Sequence, residues 1–463
     1  MRCAIMDIGY NAIRAVVYDN NKLGAAELFN YKFKTDILCL LSQDSFDVKH
    51  QTYLSIQYLL HIFHKLNVLD IRCIATAVLR NHPRAQDFVD YIKLKYGLEI
   101  TVVSGQQEAH LMALGLMSGI TDSNGIAADL GGGSLELVGV NNGKVGQLAS
   151  FALGIKMMTL NNITTVNELI EIIKQEFQNK TYKNLYFVGG SLRFIGRTYI
   201  DANNISMKNL HYATILSSDL THYINKIKST NNCVSKNRSN RIINKNSILM
   251  TEALLTIFKP EQIIISNYGL KEGVRLELLS AEDRNSNIIE AKLLEVCNCN
   301  ISLINLDSYY KIIKTLISEA NDSILELLKY AIILSSLRKN FDSTIPSKGI
   351  SEYVLASEIP FKSDTRMMLA VILEYFSQHK PNAELIQKAK QCISKKEYAI
   401  CQIIGHFLYI TQQIDGSDFS TPSFSIENNN SYLQIVWPNK LPRPIFDKVC
   451  IRLKYIASAR KYS

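Results

Sequence analysis

The stretch Ile126–Val138, reading I-A-A-D-L-G-G-G-S-L-E-L-V, constrains the fold of this chain more than any other. Ile126 to Ala128 are small and apolar, the composition of a buried strand. Gly131, Gly132 and Gly133 then let the backbone turn tightly and approach a ligand closely, and Leu135, Leu137 and Val138 resume the sheet. Asp129 therefore stands at a strand end beside N–H groups with no side chains over them, an arrangement suited to a divalent metal with phosphate. Alone, the same letters would also serve an ordinary Gly-rich hairpin.

The grammar recurs. Arg2 to Gly9 is an apolar strand ending in Asp7-Ile8-Gly9, and Ala12 to Tyr18 is a second strand after the turn Gly9-Tyr10-Asn11. Gly24 to Phe33 completes a meander. Asn184 to Val188 is a third buried strand, ending in Gly189-Gly190-Ser191 before a helix. Glycine turns that each end a strand of a β/α alternation are where phosphate ligands bind.

Helical spacing marks Gln51 to Leu66, with the strand Asp70 to Ala75 following and ending in Thr76-Ala77-Val78-Leu79-Arg80. Arg84 to Tyr96 is a helix that stops at Gly97. The strand Leu98 to Val103 then leads into S-G-Q-Q-E-A-H, which puts Glu108 in the first turn of a helix. On local grounds Glu108 reads as a capping partner for Ser104. Asn225 to Ser247 is a polar connection carrying Lys226, Lys228, Lys236, Arg238, Arg241 and Lys245 and no acidic residue; it reads either as a surface loop or as a guide for an anionic substrate. Ala281 to Asn287 reads as a linker, and from Ile289 the pattern turns mainly helical.

A chain of 463 residues exceeds one ordinary core, so about three domains are expected. No apolar run reaches the ~18 residues that span a bilayer, and Met1 leads directly into a strand, so a cytoplasmic location without membrane contact is expected. The nine dispersed cysteines read as reduced thiols. A net charge of +9 favours an anionic partner, but no interleaved basic and aromatic motif accompanies it, and nucleic acid is not expected.

Together, A-I-M-D-I-G-Y-N, A-T-A-V-L-R, V-S-G-Q-Q-E-A-H, A-D-L-G-G-G-S-L-E-L-V, V-G-G-S and G-L-K-E-G-V resemble, in order and spacing, the exopolyphosphatase and guanosine pentaphosphate phosphohydrolase (Ppx/GppA) family. The pairing of S-G-x-x-E-A with D-x-G-G-G-S carries most of the specificity. The resemblance implies an α/β fold of two actin-like (ribonuclease H-like) lobes around a phosphate-binding cleft, residues 1–121 and 122–284, then a mainly α-helical, degenerate HD-like domain over residues 289–463. It implies Glu108 as the catalytic base, Asp129 and Glu136 as Mg²⁺ ligands, and Asn11, Arg80, Gly131, Gly132, Gly133, Ser134, Gly190 and Ser191 around phosphate. Two family serines are replaced by Tyr10 and Ala12 in the first loop, the acidic residue before the catalytic glutamate is Gln107, and the arginine after E-A is His110. From Ile289 onward the only histidines are His379 and His406, neither beside an Asp, so no metal centre is expected there.

The leading expectation is a Mg²⁺-dependent, homodimeric hydrolase that takes terminal phosphate from inorganic polyphosphate or the 5′ γ-phosphate from guanosine pentaphosphate. An anion-binding regulator with weakened catalysis, suggested by Tyr10 and Ala12, is the second, and an ATP-dependent kinase of the same superfold is the third.

Overall fold

The computed structural model describes residues 1–42, 50–177, 181–203, 205, 207–230, 242–299, 301–337, 348–377, 381–416, 419–429, 432–437 and 441–463. They form two compact units, Met1–Ile288 and Ile289–Ser463.

The first unit uses one strand order twice. β1 (Cys3–Ile8), β2 (Ala12–Tyr18) and β3 (Glu27–Lys34) form an antiparallel meander, and β4 (Asp70–Ala75) and β5 (Ile100–Val102) continue the sheet in parallel from the other side of β1. β6 (Asn124–Leu130), β7 (Leu135–Asn141) and β8 (Lys144–Phe151) repeat the meander, and β9 (Asn184–Phe187) and β11 (Gln262–Ile265) repeat the parallel extension. β10 (Thr214–Leu216) adds an antiparallel edge to β11. Its three residues are too few for any period to show in the sequence. These are two actin-like lobes.

Parallel neighbours need crossover connections, and helices supply them. Gln51–Lys65 returns the chain to β4, and Ala85–Tyr96 returns it to β5, ending at Gly97 in the left-handed conformation (φ +65°) that a glycine adopts without strain. Each sheet buries its inner face in a core of its own.

Two helices, Gly105–Gly119 and Leu270–Leu278, cross with their backbones almost touching. A Cβ on Gly115 would lie 1.8 Å from the Gly269 carbonyl oxygen, and one on Gly273 would lie 1.8 Å from that of Leu111. The crossing joins the helix that carries Glu108 to the end of the second lobe.

Three expectations change. The basic connection does not begin at Asn225, because helix Ser217–Thr230 continues through Lys226 and Lys228 with Leu220 and Ile224 buried. Lys245 opens helix Lys245–Phe258, and Lys236, Arg238 and Arg241 lie outside the described residues. The stretch read as a linker from Ala281 forms the short helix Ala281–Asn285, because the Ser280 side chain accepts the Asp283 N–H.

The second unit is helical around one core, with a single hairpin of β12 (Ser425–Asn429) and β13 (Tyr432–Val436) among the described residues. Buried Arg452 donates to the Tyr375 carbonyl and to His406 Nδ1 and lies 3.8 Å from the centre of the Tyr409 ring, so His406 serves packing between helices Lys395–Asp415 and Arg443–Ala459. His379 lies outside the described residues. Among the described residues no helix is long and apolar enough to cross a membrane.

The crossing of the glycine-bearing helices generates the first prediction. Gly115→Ala and Gly273→Ala should each destabilise the first unit by about 2 kcal/mol or more, since a backbone oxygen cannot yield as a side chain would. Chemical denaturation of the full chain measures this; near-wild-type stability in both variants would mean that the crossing relaxes freely.

Candidate functional site

A cleft of about 740 Å³ is bounded by the turns at Gly9–Ala12, Gly131–Ser134, Gly189–Ser191 and Gly269. The duplicated fold places two aspartates in equivalent positions, Asp7 next to last in β1 and Asp129 next to last in β6, and both line the cleft. Strand register then sets what lies beside each. Across the first sheet Asp7 is followed by Arg14 and Lys32, both in the cleft; across the second Asp129 is followed by Glu136 and Ser150, neither in it.

Acid groups thus meet where the lobes meet. Burial, strengthened by repulsion from Asp129, pushes Asp7 up to about 6, and its Oδ1 is buried without a hydrogen-bond partner. Burial likewise raises Asp129, against the pull of Arg193 and Lys32. Glu136 is raised well above its ordinary range by burial and by repulsion from Glu108 and Asp129, although the hydroxyls of Ser134 and Ser150 donate to it. An orphaned carboxylate oxygen opposite a second buried carboxylate fits a divalent cation. Backbone makes way for Asp129 too: a Cβ on Gly189 would lie 2.2 Å from Asp129 Oδ1. Among the described residues no three His, Cys, Asp or Glu side chains form a ligand set, so an ion held by Asp7 and Asp129 would complete its shell with water and phosphate oxygen, as Mg²⁺ habitually does.

Glu108 is not a cap. Ser104 and Gln107 form the capping box between themselves, Gln107 Oε1 accepting the Ser104 N–H at 2.9 Å and Ser104 Oγ accepting the Gln107 N–H at 3.2 Å. Glu108, one residue on, is left to face the cleft, where Arg80 Nη1 donates to its Oε2 at 2.9 Å and also to the Val103 carbonyl at 3.0 Å. Burial pushes Glu108 up to about 7 despite Arg80, helped by Asp129 and Asp7. A carboxylate that releases its proton near neutrality, held by a second bond through its partner, is equipped to act as a general base.

The Ppx/GppA phosphatase family model matches residues 19–282. The chain belongs to this family. Among solved structures, the Aquifex aeolicus Ppx/GppA family member is 20% identical, with 59% of this chain and 96% of that chain covered and a TM-score of 0.49. An exopolyphosphatase from Cytophaga hutchinsonii is 16% identical, with 60% of this chain and 98% of that chain covered and a TM-score of 0.51; it shares the fold.

The Ppx/GppA positions distribute as follows. Glu108, Asp129, Asn11, Gly131, Gly132, Gly133, Ser134, Gly190 and Ser191 all line the cleft. Arg80 reaches Glu108 but lines an adjoining cavity, and Glu136 is buried behind the wall, lining neither. Asp7, Arg14, Lys32, Lys34, Arg193 and Lys271 line the cleft beyond those positions. Asp7 was legible, since its strand ends with the same Asp-x-Gly pattern as Asp129; Lys32 and Lys34 were hidden in a strand that shows its character only by alternation with Phe29, Tyr31 and Phe33.

Tyr10, the departure from the family's serine, is 7% exposed. A Cβ on Gly133 would lie 2.2 Å from Tyr10 Cε2, and one on Gly132 would lie 2.7 Å from Tyr10 Cβ, so the ring occupies space that the glycine loop leaves open. Its hydroxyl meets Met157 Sδ at 3.6 Å, and Lys156 Nζ stands 5.8 Å from the ring centre. The ring packs between the turns Gly9–Ala12 and Gly131–Ser134 at the edge of the cleft. Across the strand from Ala12, the other departure, stands Lys34, which lines the cleft; the next residue, Thr35, donates its backbone N–H to the Asn11 carbonyl at 3.3 Å and keeps a buried Oγ1 with no hydrogen-bond partner.

Tyr10→Ser should therefore leave a cavity and cost about 3 kcal/mol, with no gain in kcat/KM. Tyr10→Phe, which loses only the sulfur contact, should be nearly neutral. Denaturation and steady-state kinetics test the pair, and improved kcat/KM in Tyr10→Ser would contradict the packing role.

Proposed function

We propose that this chain is a Mg²⁺-dependent hydrolase that releases terminal phosphate from inorganic polyphosphate, with Glu108 as the base. The observation that carries this reading is the placement of Glu108: half-buried, paired with Arg80, and facing the glycine turns on which a phosphate chain would rest. Glu108 takes a proton from water as the water oxygen attacks the terminal phosphorus; the bridging P–O bond breaks and its electron pair stays on the leaving phosphate oxygen. Arg80 holds the carboxylate in line. When bound at Asp7 and Asp129, Mg²⁺ supplies charge neutralisation to the phosphate oxygens. Arg14, Lys32, Lys34 and Arg193 oppose the charge of the remaining chain along the cleft.

The 5′ γ-phosphate of guanosine pentaphosphate is the second reading, favoured by Phe194 and Asn267, a ring and an amide at the second-lobe end of the same cleft. The regulator reading rested on Tyr10 and Ala12. Tyr10 packed against the glycine loop and Lys34 opposite Ala12 in the cleft support turnover over that reading.

Phosphate release, with long polyphosphate and guanosine pentaphosphate offered separately, tests the proposal; release from neither would refute it. Glu108→Gln should lower turnover by about 10²- to 10⁴-fold with folding intact. Asp129→Asn should raise the Mg²⁺ concentration needed for half-maximal rate, and an unchanged Mg²⁺ titration would give Asp129 a structural role instead. In the wild type, kcat/KM should climb with pH through the range in which Glu108 loses its proton, near 7.

The buried acids also predict a stability profile. Asp7 and Glu108 hold their protons more tightly folded than unfolded, so their contribution is complete below about pH 4 and is lost as pH rises through about 6 and about 7. Without divalent cation, the Tm of the first unit should carry a component that declines between about pH 5 and about pH 8, that Asp7→Asn flattens, and that Mg²⁺ restores mainly at the alkaline end. A profile indifferent to both Asp7→Asn and Mg²⁺ would show that the acids are not coupled as described.

A further inference from the structure

A second cavity, about 610 Å³, opens on the other side of the Arg80–Glu108 pair. It shares Ser134 with the cleft and otherwise has its own walls, among them Asn81, Ser104, Ser150, Ala152 and Glu176. The row Asp129, Glu136, Ser150 crosses the second sheet from one space to the other, since Asp129 lines the cleft and Ser150 the cavity.

Arg80 is the only cation lining this cavity among the described residues. Only its Nη1 is engaged, by Glu108 and the Val103 carbonyl, while Nη2 lies on the side of Gly105, a cavity residue, 3.8 Å from where a Cβ there would stand. Ser104 Oγ accepts the Gln107 N–H and keeps its own proton to donate. Arg80 thus presents one arm to the base and another to a polar space that a substrate lying in the cleft does not fill.

We infer that this cavity is an oxyanion site that receives the orthophosphate released at Glu108. The inference rests on the hydrolase reading for the origin of the ion, though not for its binding. A newly cut phosphate faces Asp7, Asp129 and Glu108 on the cleft side, with the rest of the substrate still beside the cations there. Past Arg80 it meets a guanidinium arm and hydroxyl donors. Glu176 opposes tight retention, so the site holds the ion weakly and lets it go to solvent.

The test uses the full chain and two anions: orthophosphate, and a methylene-bridged triphosphate that cannot be cleaved and fills the cleft. Calorimetry should find orthophosphate binding that persists when the cleft is saturated with the triphosphate. Ala152→Glu, which adds negative charge to a cavity wall outside the reacting groups, should weaken that binding at least ten-fold and leave triphosphate affinity unchanged; Ala152→Trp should do the same by bulk. In the active protein, orthophosphate should inhibit without competing with polyphosphate, and Ala152→Glu should relieve that inhibition. Loss of all orthophosphate binding on adding the triphosphate, or equal binding in wild type and both variants, would overturn the inference. If no substrate is cleaved, the hydrolase reading fails, while the binding competition still decides whether the cavity takes an oxyanion.

Discussion

The concentration of carboxyl groups where the two lobes meet is the constraint on which the site depends. Asp7, Glu108, Asp129 and Glu136 interact with one another, and Arg80 is the one cation in hydrogen-bonding contact with any of them by the bonds described. Buried anions at such density are tolerable only if they keep protons or share a cation. The structure keeps both routes open. Burial and the neighbouring carboxylates push Glu136 well above its ordinary range while two hydroxyls donate to it, Glu108 is pushed up to about 7, and Asp7 and Asp129 face the open cleft where an ion can enter.

Duplication of one strand order explains how so few residues come to bear on one place. The penultimate residue of each first strand points to the shared cleft, so a single rule of register delivers Asp7 and Asp129 together. The neighbouring strands then diverge. Arg14 and Lys32 give the first sheet a cationic wall on the cleft, whereas Glu136 and Ser150 give the second a polar row outside it. The helix that carries Glu108 is held in position by backbone contact at Gly115 and Gly273, where no side chain could adjust to a shift.

Much of this was legible in the sequence because the signals are local. Strands ending in Asp and glycine, the helix stop at Gly97, and the S-G-x-x-E-A segment all rest on short-range backbone chemistry, and the structure places each in the expected element. The capping of helix Gly105–Gly119 by Gln107 rather than Glu108 was legible, since a capping box reaches three residues on from Ser104, and the reading of Glu108 as the cap overlooked that spacing. What was not legible depends on register and on packing between segments far apart in the chain. The separation of Arg80 and Glu136 from the cleft turns on which side of a wall each side chain takes. Lys236, Arg238 and Arg241 lie outside the described residues.

Tyr10 illustrates why a departure from a family pattern cannot be weighed one position at a time. Viewed alone, a phenol in place of a serine removes a phosphate donor and adds bulk at the mouth of the site. In the fold, its bulk falls where Gly132 and Gly133 have no side chains, and the ring ties the turn after the first strand to the glycine turn of the second lobe. Ala12, where the hydroxyl is missing, has Lys34 across the strand, and Thr35 one residue on bonds by its backbone to Asn11 and keeps a buried Oγ1 that finds no partner within the protein. An unsatisfied buried hydroxyl costs about 1–3 kcal/mol unless something completes it. At the register of Ala12 the cleft is lined by Lys34, so the altered first loop faces a cation across the strand where the family pattern has a hydroxyl.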